Sequence, residues 1–145
     1  MAFEIAIDSI NEEEFKFSAH DMKSIERKHL SFGLHLSFNV DADKNLFKVR
    51  FTVIYNYDLG NRTLELMRFV NSTNFKVKGL NKIVKFEKAN VGKFQFPDDL
   101  MITFVGASVS SARGMLAYKL SGTVLSKYYL PLIDVKKLLE ESYVS

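Results

Sequence analysis

The hydrophobic residues of this chain change their spacing once. Between Leu30 and Tyr57 they recur at every second position, and beyond Phe96 at every third or fourth. A period of two belongs to strands with one buried face, and a period near 3.6 to helices. Strands that come first and helices that come last build an antiparallel sheet with helices on one face, the α+β class.

The alternation fixes the strands. Leu30, Phe32, Leu34, Leu36, Phe38 and Val40 point one way; Ser31, Gly33, His35, Ser37 and Asn39 point the other. Asp41-Ala42-Asp43-Lys44-Asn45 reads as a turn, and Leu46 to Tyr57 as the next strand, with Phe47, Val49, Phe51, Val53 and Tyr55 on its apolar side. A second turn, Asp58-Leu59-Gly60-Asn61, leads into a strand from about Arg62 to Val77. Its alternation slips at Leu66-Met67, the sign of a bulge or of a switch in packing environment. Short connections make these three an antiparallel meander. A further strand, carrying Phe3, Ile5 and Ile7 and then Phe15 and Phe17 after the acidic patch Glu12-Glu13-Glu14, joins at an edge. Residues 78–96 are the least legible; Ile83, Val84 and Phe86 suit a short strand or an ordered loop.

Pro97 followed by Asp98-Asp99 opens a long helix. Leu100, Met101, Phe104, Val105, Val109, Ala112, Met115 and Leu116 form its apolar stripe, and Gly122 ends it. Ala107, Ser108, Ser111 and Ala112 are small enough to admit a close backbone neighbour. Leu130-Pro131-Leu132-Ile133 is a stiff connector, and Asp134 caps a short helix from Val135 to about Ser142. The expectation is one domain over residues 1–145: strands over about 3–77, a variable segment 78–96, and helices over about 98–142.

The sequence offers few groups for catalysis. Cys is absent, which excludes disulfides, thiolate metal sites and a cysteine nucleophile. His20, His29 and His35 are spaced for neither a strand nor a helix pair. Ser18, His20 and Asp21 are the residue types of a hydrolase triad, but close sequence neighbours cannot converge on one atom. No phosphate-binding glycine motif and no nucleophile elbow occurs. The Lys-rich stretch 76–93, interleaved with Phe75, Phe86, Phe94 and Phe96, reads as an edge guarded by Lys with Phe turned inward. It lacks the arginines of a nucleic-acid reader, so no nucleic acid is expected. The N-terminus has no secretory pattern and no run approaches a membrane span, so the expected compartment is the cytoplasm. No cofactor, no metal and no enzymatic activity is expected.

Phe96-Pro97, Ala112-Arg113, Gly122-Thr123, Leu130-Pro131 and Leu138 follow one another in an order and spacing that resemble the tail of the SecB family of bacterial export chaperones. The resemblance covers Phe96 to Leu139 as motif and nearly the whole chain as layout. It implies a four-stranded antiparallel sheet followed by a long and a short helix packed on one face, assembled as a homotetramer, a dimer of dimers. It implies a holdase that binds unfolded or precursor polypeptides without nucleotide for delivery to the SecA motor. The chain departs from that pattern at the polar sheet face. SecB presents acids there to SecA, whereas Lys48, Arg50 and Arg68 stand here with His35. Family members that serve an antitoxin need no acidic face.

Thirteen Phe among 145 residues give apolar area to spare, as client grooves need. The expected groove walls are Phe15 and Phe17 of the first strand, Met22 and Ile25 of the crossover segment 18–28, and Phe94 and Phe96. The expected oligomer contact is Ala107, Ser108, Ser111, Ala112 and Arg113, with Arg113 reaching carbonyls or a carboxylate across it. Two rivals stay open: a scaffold on the same fold, and a binder of small apolar ligands with Tyr55, Tyr57 or Tyr118 as polar handles.

Overall fold

The computed structural model describes residues 4–83, 85–86, 94–95 and 97–144. Four long strands come first: β1 (Ile5–Phe17), β2 (Leu30–Asp41), β3 (Leu46–Asp58) and β4 (Thr63–Val77). They form one antiparallel sheet in the order β1-β4-β3-β2. The expected meander is β2-β3-β4, and β1 joins it beside β4.

Turn chemistry sets the register. Lys44 N donates to Asp41 Oδ1 at 3.2 Å, and Asn45 takes a left-handed backbone with φ 55°, which an asparagine tolerates. The Asn45 carbonyl accepts from Val77 N at 2.9 Å and its Oδ1 from Leu80 N at 3.3 Å. One turn residue therefore ties the β2–β3 corner to the end of β4. At the next corner Gly60, with φ 89°, donates its N–H to Asp58 Oδ1 at 2.8 Å.

One face of the sheet is the core. Phe47, Val49, Phe51, Val53 and Tyr55 on β3 and Met67, Phe69 and Phe75 on β4 are fully buried. Tyr55 opposes Met67 and Asn56 opposes Glu65, so Leu66 is the extra residue of the expected bulge. The bulge buries both Leu66 and Met67. β1 runs unbroken through Glu12-Glu13-Glu14, shifting register at Ile7/Ser9 and Glu12/Glu14. Strand alternation sends the adjacent acids Glu12 and Glu13 to opposite faces and different partners. Glu12 pairs with Lys119 at 2.7 Å, while Glu13 pairs with Lys48 at 3.2 Å and Arg50 at 2.6 Å.

The segment after β4 holds a one-turn helix α1 (Leu80–Ile83) and a two-residue ladder of β5 (Lys85–Phe86) with β6 (Phe94–Gln95). Helix α2 (Asp98–Lys119) starts on Pro97, whose carbonyl accepts from Leu100 N and Met101 N. It lies across β3 and β4. Phe104 sits between Phe47 and Phe75, each ring centroid 4.7 Å away, and removing that ring costs about 3–5 kcal/mol. By composition α2 is apolar enough to cross a bilayer, contrary to the sequence expectation, but its apolar stripe is buried against the sheet. Gly122, with φ 78°, follows the helix end. Helix α3 (Val135–Val144) packs on α2 and reaches β2, and Asp134 Oδ1 caps it by accepting from Lys137 N at 3.2 Å.

Candidate functional site

Helix α2 covers the middle of the sheet and leaves part of β1 open. The register sets Ile7 opposite Phe75, Ile10 opposite Thr73, Phe15 opposite Phe69 and Phe17 opposite Met67, all on the core side. Yet Ile7 is 52% exposed and Ile10 42%, while Phe15 and Phe17 are half-buried. The result is an apolar shelf along the edge strand beside α2. Phe15 meets Phe69 edge-on at 6.3 Å, and the Lys119 ammonium stands 4.6 Å from its ring centroid, held there by Glu12. Phe17 meets the ring of His20 at 4.7 Å, so the expected triad type Ser18-His20-Asp21 has its histidine turned to an aromatic. Ile7 and Ile10 were not anticipated. Ile7 lies in the visible alternation of the first strand, but Ile10 reaches the same face only through the register shift at Ile7/Ser9, and only the position of α2 shows that nothing among the described residues covers them.

From Phe17 the chain crosses to β2 as a strap, residues 18–29. Ala19 is buried and Met22 and Ile25 are half-buried against the core. Two tyrosines pin it: Tyr128 Oη donates to the Ile25 carbonyl at 2.7 Å, and Tyr57 Oη accepts from Glu26 N at 3.1 Å. Tyr55 Oη donates to the Tyr128 carbonyl at 2.8 Å, and burial pushes its pKa up to about 12. The handles proposed for a small ligand, Tyr55 and Tyr57, thus both serve the fold. The crevice between Tyr55, Leu116, Leu125 and Tyr128 leaves no room for a water molecule. Tyr118 stands in solvent.

The expected oligomer contact divides. Ser108 and Ala112 are wholly buried inside their own subunit, so they cannot meet another. Their side of the helix is the one the sheet needs, and small size there lets α2 lie close to it. Ser108 satisfies its hydroxyl on the Phe104 carbonyl at 2.8 Å, and half-buried Ser111 does the same on Ala107 at 2.9 Å. Arg113 does reach carbonyls, but in its own chain: Nε to Leu130 O at 3.2 Å and an Nη to Pro131 O at 2.8 Å. It clamps the connector to α2. The outward side of α2 carries Ile102, Gly106, Ser110 and Gly114, four residues apart and uncharged. Of the expected walls beyond β1, Phe94 belongs to β6 and Phe96 lies outside the described residues.

On the opposite sheet face Lys48 and Arg50 share Glu13, and Arg68 pairs with Glu65 at 2.6 Å. The expected basic face is thus partly neutralised rather than free. Among the described residues no group of three His, Asp or Glu is placed to hold a metal.

No family model matches the chain, and no curated protein does. Solved structures do. A protein of unknown function from Streptococcus agalactiae aligns over 92% of this chain and 99% of its own, at TM-score 0.45 and 13% identity. A SecB-like chaperone from Mycobacterium tuberculosis, solved in complex with a peptide from an antitoxin, aligns over 90% of this chain and 91% of its own, at TM-score 0.53 and 16% identity. With its four-stranded antiparallel sheet, long helix and short terminal helix superposing on that chaperone structure, the chain has the SecB-like fold.

Proposed function

We propose that this protein is a chaperone that holds unfolded polypeptides on the β1 shelf without nucleotide. The observation that carries the reading is the uncovered apolar strip of Ile7 and Ile10, continued by half-buried Phe15 and Phe17. A sequence-tolerant holder needs apolar area and backbone partners rather than convergent catalytic groups. The SecB-like structure that the chain resembles was solved with a peptide bound, so this fold accommodates a polypeptide. The test is aggregation of an unrelated chemically unfolded protein, followed by light scattering. Equimolar protein without ATP should suppress it, and Ile7→Ser with Ile10→Ser should abolish most of the effect. Unchanged aggregation with wild type would refute the reading.

The assembly that suits this function is a homo-oligomer, a dimer of dimers. Gly106 and Gly114 sit inside α2, where each costs about 1 kcal/mol relative to Ala. A Cβ at either would meet nothing within 4 Å among the described residues. A second helix approaching closely would explain both. Between delivery to the SecA motor and service to a dedicated client such as an antitoxin, the opposite sheet face favours the second, because Lys48, Arg50 and Arg68 stand where acids would be needed.

A further inference from the structure

We propose that the strap, residues 18–29, is a resident occupant of the polypeptide site, and that Tyr57 and Tyr128 form a clamp for one peptide group. The proposal rests on the polypeptide-holding reading and names how that site grips a chain. The Ile25 carbonyl and the Glu26 N–H belong to the same peptide unit. Tyr128 donates to its oxygen at 2.7 Å and Tyr57 accepts from its nitrogen at 3.1 Å. One tyrosine thus supplies the donor and the other the acceptor, on opposite sides of a single amide. No side chain is read, so any residue pair lacking proline at its second position satisfies the clamp equally.

The rest of the strap has the same character. Ala19, Met22 and Ile25, three apart, rest on the core, whereas His20, Asp21, Lys23 and Ser24 between them are exposed. Among the described residues, the strap between Ala19 and Glu26 hydrogen-bonds to the body of the protein only through the two tyrosines. It makes no ladder, unlike β1 before it and β2 after it. The clamp itself is set on firmer parts. Tyr57 belongs to the inner strand β3, and the Tyr128 carbonyl is held by Tyr55. Displacing the strap leaves both hydroxyls in place for another extended segment, beyond the end of the shelf at which Phe15 and Phe17 lie.

An internal competitor lowers apparent affinity by the fraction of molecules in which the site is free. Loosening the strap should therefore tighten client binding. The probe is a fluorescently labelled, permanently unfolded polypeptide, titrated against wild type and against Met22→Ser with Ile25→Ser. The double variant should bind about tenfold tighter, and adding Tyr128→Phe should return most of that gain. In wild type, the client should speed amide hydrogen exchange over residues 19–26. If the double variant binds equally or more weakly, or the client slows exchange in the strap, then Met22 and Ile25 are walls of the site and the proposal fails. If that variant does not fold, the exchange measurement on wild type decides alone. If neither protein binds the client at all, the holding reading falls first and takes this one with it.

Discussion

Two side chains show how much of the fold hangs on single polar contacts. Arg113 makes two charge-assisted bonds to the connector carbonyls of Leu130 and Pro131. Arg113→Ala should lower stability by about 1.5–3 kcal/mol, measured by urea unfolding. Arg113→Lys should recover only part, since an ammonium lacks the planar fork. Tyr55 gives a prediction in pH. Its pKa is raised from 10.0 to about 12 because the buried phenol cannot ionise freely. Between those values the unfolded chain loses the proton and the folded one keeps it, so stability falls as pH rises through that window. The fall due to this group is about 1.4 kcal/mol per pH unit. Tyr55→Phe should be less stable at pH 7, having lost the bond to Tyr128 O, yet lose less between pH 9.5 and 11. Parallel pH profiles for the two proteins would contradict this.

At the scale of elements, β4 carries the least comfortable stretch of the molecule. Asn71 and Thr73 are wholly buried on the side facing α2, and among the described residues neither the Asn71 carboxamide nor the Thr73 hydroxyl has a partner. Such groups cost about 1–3 kcal/mol each when left unpaired. Asn71→Leu with Thr73→Val should raise the thermal midpoint by several degrees, measured by calorimetry; a lowered midpoint would mean that these atoms are partnered in solution. The elements themselves were largely legible. Strict alternation marked β2 and β3, the Leu66-Met67 slip marked the bulge, and Pro97 and Asp134 marked helix starts. The site was less legible, because it depends on where one element lies on another. Sequence placed Ser108 and Ala112 on a small stripe but not which neighbour they faced. The peptide clamp joins Tyr57 to Tyr128, 71 positions apart in the chain. No local pattern announces such a pair.

For the whole molecule, the outward side of α2 and the sheet edges at β1 and β2 are among the surfaces open to other chains. If copies meet through α2, Ser110→Glu with Gly114→Glu places charge in that contact and should split the assembly, with the subunit fold intact by circular dichroism. Light scattering should show wild type larger than the variant; a wild type that is monomeric at micromolar concentration would contradict the oligomer. Polypeptide holding on an apolar shelf has a sharper consequence. Apolar contact survives salt, whereas attraction between exposed charges is screened within about 3 Å at 1 M. The most direct measurement is therefore a titration of a labelled unfolded polypeptide with the wild-type protein, free of nucleotide and metal, at low salt and at 1 M salt. A protein that holds polypeptides by apolar contact should show saturable binding under both conditions, with affinity changed less than tenfold. No binding at low salt, or binding that vanishes at 1 M, would contradict it.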